Sequence, residues 1–296
     1  MALFSLGSLR YCNVLAQHGG PIARIEVGQV SMRGRTVTQA NARLKEGLVT
    51  HPRNLEFYSN DDGTGTHAVP SVARHMAVSE ALERWAFHTT VHSDRAAEFG
   101  FDVDPTSNGM SAFPSLFSRS ARRKAVLEAV ERFSLVAWWE GRAHARSVST
   151  DWPGVSALAI EGPMGGITVI AYARTNWGYA YGHAAEESFG AACERAMIEL
   201  SRHESILRSR WLSTVSGQSA KMTNLMEQRS FFFATEEGHE LFQQRAAAPC
   251  RSTLPKPEVV CDAEIDGPWS DYATVWRFGL RPLTLNFLTE PRFFFW

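Results

Sequence analysis

Ala77-Val-Ser-Glu80-Ala-Leu-Glu83-Arg84 and Ala125-Val-Leu-Glu128-Ala-Val-Glu131-Arg132 are two copies of one eight-residue pattern, identical at six positions. An aromatic residue follows each copy, Trp85 and Phe133. Positions i, i+3 and i+4 share one face of a helix, so Glu80, Glu83 and Arg84 cluster, as do Glu128, Glu131 and Arg132. Ala77, Ala81 and Leu82, with Ala125, Ala129 and Val130, supply the apolar surface that packs each helix. Ala196-Met-Ile-Glu199-Leu-Ser-Arg202-His203 is a weaker third echo, with Glu199 aligned to the first glutamate of the other two.

A single Glu-x-x-Glu-Arg reads as a solvated helix face whose ion pairs are worth a few tenths of a kcal/mol each. Two near-identical copies point further. If their acidic faces converge, the carboxylates repel one another unless cations sit among them, and Mg²⁺ bridging phosphate oxygens is the common biological remedy. The arginines then contact phosphate rather than merely screening the glutamates.

The chain has 296 residues, enough for one large domain or two intimate ones. Its net charge of −1 gives no basic excess for nucleic acid or an anionic membrane surface. Cys12, Cys193, Cys250 and Cys261 have neither metal-ligand spacing nor the density of a disulfide framework, and read as reduced cytosolic thiols. No window reaches the apolar length of a membrane span, and Met-Ala-Leu-Phe-Ser-Leu-Gly7 lacks the features of a signal peptide. The expected location is cytoplasmic.

Strand-like runs fill residues 1–58, notably Ile22–Val30, broken at Arg33-Gly34-Arg35. The turn-rich Ser59-Asn-Asp-Asp-Gly63-Thr-Gly65-Thr66 reads as a loop leading into a helix over about 68–92, a position that favours phosphate although Gly-x-Gly alone is weak. A second helix follows over about 119–140, with Trp138 and Trp139 as core or interface aromatics. Val155–Ile160 and Gly166–Ala173 form a strand pair around a Gly-rich turn. Gly178–His183 then opens a helical run over about 184–211 holding Glu187, Glu194, Glu199 and His203. Tyr272–Phe278 and Leu283–Phe287 read as closing strands, and the terminal Arg292-Phe-Phe-Phe-Trp296 as a docked end. The class is α/β, with a strand-rich part at 1–58 and the remainder, 59–296, as one compact unit.

The order of these parts resembles the YcaO family: a Gly-containing loop, two helices with Glu-x-x-Glu-Arg, a strand pair, a third acidic helix and closing strands. The likeness runs from about residue 55 to the end. It implies a YcaO-like fold, with mixed sheets and three acidic-faced helices around a nucleotide site. It also implies ATP- and Mg²⁺-dependent activation of a peptide-bond amide by O-phosphorylation, giving an azoline, thioamide or amidine in a ribosomally made peptide. By the same resemblance Glu80, Glu83, Glu128, Glu131 and Glu199 hold Mg²⁺ around the triphosphate. Arg132 and Arg84 contact phosphate, and His203 stands where the family usually has Gln. Its implied partners are a substrate peptide and a protein that delivers the leader peptide, with a homodimer left open. Thr64 between the glycines, Met76 in place of a common Ser, and Ser120 and Leu116 at usually acidic positions favour an alternative, a scaffold or peptide-binding subunit that turns over no nucleotide. So does a tail with Pro291 alone. No Gly-x-Ser-x-Gly elbow occurs, and His88 and His92 read as helix surface rather than a zinc pair.

Overall fold

A computed structural model describes residues 11–49, 55, 57–216, 224–250, 254 and 256–294. The chain divides into two compact units, 1–52 with 60–129 and 259–281, and 53–59 with 130–258 and 282–296.

In the first unit, β1 (Ile22–Met32), β2 (Arg35–Leu44) and β3 (Gly63–His67) form an antiparallel sheet in that order. Arg33 and Gly34 turn β1 into β2 with φ of 44° and 85°, the two-residue hairpin geometry that suits strand twist. Helix α1 (Pro70–Val91) carries Pro at its start, where the missing N–H costs nothing. Its Ala73, Ala77 and Ala81 are fully buried, and β3 lies against them. A methyl group on Gly63 would come 2.0 Å from the Ala77 carbonyl oxygen, and one on Gly65 2.0 Å from that of Ala73. Gly63–Thr66 is therefore a strand pressed onto a helix, not the loop that its turn-like composition suggested. Glycine there serves close approach of two backbones.

A second antiparallel sheet in this unit runs β4 (Met110–Pro114), β10 (Ala273–Leu280), β9 (Val259–Glu264). Fully buried Arg277 of β10 ties it to the preceding loop. Its Nε donates to Phe99 O at 2.9 Å, Nη2 to Asp104 O at 2.8 Å, and Nη1 to Thr106 O at 2.8 Å and Asn108 O at 3.2 Å. The guanidinium also lies over the Phe101 ring, 3.9 Å from its centre.

The second unit is built on the antiparallel sheet β5 (Arg146–Val148), β6 (Ser156–Glu161), β7 (Ile167–Thr175), β8 (Gly178–Glu186). The turn between β6 and β7 closes through Gly162 N–H to Gly166 O at 3.0 Å. Gly178–His183, read as a helix opening, is strand instead, paired residue by residue with β7. Its run of Gly, Ala and Tyr lacks β-branched residues, and pairing plus burial override that local signal. Helix α3 (Phe189–Val215) starts after Ser188, whose side chain accepts from Ala191 N–H, so Glu187 precedes it. It packs on β8 and β7, and Gly182 allows this: a Cβ there would stand 2.1 Å from Leu200 N and 2.2 Å from Ala196 O.

Helices α4 (Leu225–Phe233) and α5 (Glu236–Ala247) complete the unit. Leu283–Phe287 is not a strand: coil leads into a short 3₁₀ turn at Asn286–Leu288, with Phe287 buried. Phe293 and Phe294 are buried against Trp139 and Trp138, while Phe295 and Trp296 lie outside the described residues. The helix α2 (Ser118–Trp139) crosses the boundary at Ala129–Val130, carrying Glu128 in the first unit and Glu131 in the second.

Candidate nucleotide site

In the first unit, α1 and α2 bring Glu80 and Glu128 within electrostatic reach of Glu83. Burial pushes the Glu83 carboxyl well above the usual carboxylate range, and the Glu128 and Glu80 charges push it further. Lys124, one turn before Glu128, and a hydrogen bond from the Ala112 backbone act in the opposite direction. Glu80 is held from two sides: Thr64 N–H donates to Oε2 at 3.0 Å and Arg84 Nη2 to Oε1 at 3.1 Å. Arg84 Nε also donates to Asp62 O at 2.9 Å. The close packing of β3 on α1 is what brings Thr64 to Glu80.

In the second unit, Glu131 bridges β8. Its Oε1 lies 2.9 Å from His183 Nδ1, and Oε2 accepts from Ala185 N–H at 3.0 Å. Glu131 Oε1 also lies 3.9 Å from Arg132 Nε. Glu199 on α3 is paired with Arg202, Nη1 to Oε1 at 2.8 Å, and its side chain remains 44% exposed. His203, one turn on, is buried. Its Nδ1 accepts from Tyr181 N–H at 3.1 Å, and its Nε2 stands 2.8 Å from Ser230 Oγ. Burial lowers the His203 pKa to about 4, so the imidazole is neutral near pH 7.

The two copies of the motif are thus used differently. In the first the second glutamate, Glu83, bears the electrostatic load, and Glu80 and Arg84 brace each other. In the second copy the second glutamate, Glu131, hydrogen-bonds both oxygens to a strand. Residues that the sequence reading did not assign to the site complete the surroundings: Thr64, Asp62 and Lys124 in one unit, His183, Arg202 and Tyr58 in the other. Of these, Lys124 stands in a run visible in the sequence, the basic Arg122-Arg123-Lys124 on α2. Among the described residues no three His, Cys, Asp or Glu side chains form a ready-made metal cage. Glu80, Glu83 and Glu128 are carboxylates, the hard oxygen donors that Mg²⁺ takes alongside water and phosphate. No helix is long and apolar enough to cross a membrane, among the described residues.

No protein-family model matches the sequence, and no curated protein matches it. Solved structures do. YcaO from Methanopyrus kandleri, bound with AMPPCP and Mg²⁺, superposes with a TM-score of 0.55 at 14% identity, covering 97% of this chain and 91% of that one. The E. coli microcin synthetase McbBCD complex matches with a TM-score of 0.52 at 12% identity, covering 86% of each chain. The chain therefore has the YcaO fold, as the order of its motifs implied.

Proposed function

We propose that this chain, having the YcaO fold, binds ATP with Mg²⁺ and phosphorylates the oxygen of a peptide backbone amide. What supports the reading is the placement of the Glu83 carboxyl beside those of Glu128 and Glu80. A half-buried carboxyl crowded by two others is relieved when a divalent cation arrives. The M. kandleri YcaO, whose structure includes AMPPCP and Mg²⁺, supports the choice of ligand.

Glu80, Glu83 and Glu128 are the proposed seat of Mg²⁺ in the first unit, with Glu131 and Glu199 as the metal-binding carboxylates of the second. Arg132 and Arg84 are the proposed phosphate contacts. When bound, Mg²⁺ would supply charge neutralisation for the transferring phosphoryl group. The protein orients the amide and excludes water while a Cys, Ser or Thr side chain, a sulfide or an amine adds to the carbonyl carbon. The carbonyl oxygen takes the γ-phosphoryl group, ADP departs, and loss of phosphate leaves an azoline, thioamide or amidine. The McbBCD relative is a multi-protein complex, which supports a partner that presents the peptide.

A second reading is a scaffold that binds peptide without turnover, and the lack of a ready-made metal cage among the described residues favours it. Phosphate release from ATP, measured with Mg²⁺ and a peptide pool, separates the two. Peptide-stimulated release together with a mass change in a peptide supports the enzyme. Nucleotide-independent peptide binding with no release supports the scaffold.

A further inference from the structure

Tyr58, His203 and Ser230 form a hydrogen-bonded chain whose direction the backbone dictates. Tyr181 N–H donates to His203 Nδ1. An amide nitrogen has no lone pair to offer, so Nδ1 is the acceptor and the ring proton sits on Nε2. That proton points at Ser230 Oγ, 2.8 Å away. Ser230 is fully buried, and its remaining neighbour in the chain is Tyr58 Oη at 2.9 Å. A buried hydroxyl proton needs an acceptor, so Ser230 donates to Tyr58. The proton of Tyr58 then has no acceptor among the described residues.

Two further features bear on Tyr58. Glu227, fully buried, accepts from Phe57 N–H at 2.8 Å and Tyr58 N–H at 3.1 Å through the same oxygen, which fixes the backbone beneath the ring. Burial, with the nearby Glu199 and Glu227 charges, keeps the phenol protonated. Tyr58 as a whole residue is half-buried.

We propose that the Tyr58 hydroxyl is a binding group beside Glu199, donating a hydrogen bond to a phosphate oxygen of the nucleotide. The inference rests on the nucleotide-binding reading above. A bare anion is repelled by Glu199 and Glu227, but a phosphate that arrives with its cation is not, so the donor discriminates for the metal complex. The Tyr181–His203–Ser230 chain is the positioning device, and glutamine at 203 would preserve its order, with an oxygen to accept and an N–H to donate.

The test is titration of the full chain with a non-hydrolysable ATP analogue and Mg²⁺. Loss of a hydrogen bond to a charged group predicts roughly tenfold weaker binding for Tyr58→Phe, which keeps the ring. His203→Leu should match that loss, and His203→Gln should recover most of it, a rescue that mere packing does not explain. Equal binding by parent and Tyr58→Phe overturns this inference alone. No binding by the parent overturns the nucleotide reading and this inference with it. Independently of nucleotide, ¹⁵N NMR of the His203 ring should show the Nε2–H tautomer, and an Nδ1–H tautomer overturns the chain.

Discussion

Gly63 in β3 and Ala77 in α1 touch backbone to backbone, with space for a hydrogen atom and none for a methyl group. The contact carries Thr64 to Glu80 and so shapes one side of the candidate site. Gly63→Ala should force strand and helix apart and cost about 3 kcal/mol, the upper end of overpacking effects. Denaturant unfolding measures this directly, and Gly28→Ala, which meets open space, serves as the neutral control.

Arg277 holds four backbone carbonyls of the 99–108 loop from a fully buried position. Lysine cannot reproduce that fork, so Arg277→Lys should cost about 3 kcal/mol through buried acceptors left unpaired. Limited proteolysis should then cut within the loop before the rest of the unit. A variant that unfolds at the parental denaturant midpoint, with the loop intact, contradicts the assignment.

His203 makes stability fall toward acid. Its folded pKa, about 4, lies below the usual 6.5. The unfolded chain thus takes up the proton first as pH falls. The stability is fully present above pH 6.5 and is lost progressively toward pH 4, by about 3 kcal/mol from this group. Unfolding measured across that window should show the slope, and His203→Gln should remove this share of it.

Glu83 makes the opposite contribution. A carboxyl raised above its ordinary range stabilises the fold while protonated, and that stability is lost as pH rises through the folded pKa. Near neutral pH without divalent cation, Glu83→Gln should therefore raise the melting temperature while lowering the response to Mg²⁺. A lower melting temperature in the variant would mean that the carboxylate is already compensated by protein groups.

The helices of the doubled motif were legible because their apolar and acidic positions repeat at helical spacing, a local property. Gly63–Thr66 misled because glycines read as turn, whereas here they answer to the backbone of the following helix, Gly63 to Ala77 and Gly65 to Ala73. Gly178–His183 misled for a related reason, since its strand character comes from pairing with β7 and from the close approach of Gly182 to α3. Leu283–Phe287 alternates like a strand, yet only Phe287 within it is buried and the segment finds no strand partner among the described residues. The acidic cluster was visible as a set of residue types. That Glu131 would bind His183, fifty-two residues later, was not, because neither side chain signals its partner.

The most direct measurement is calorimetric titration with a non-hydrolysable ATP analogue, with and without Mg²⁺, for the parent and for Glu128→Gln. Binding that requires Mg²⁺ and is lost in the variant is the predicted result. Binding that ignores both the metal and the substitution, or none at millimolar analogue, would contradict the account.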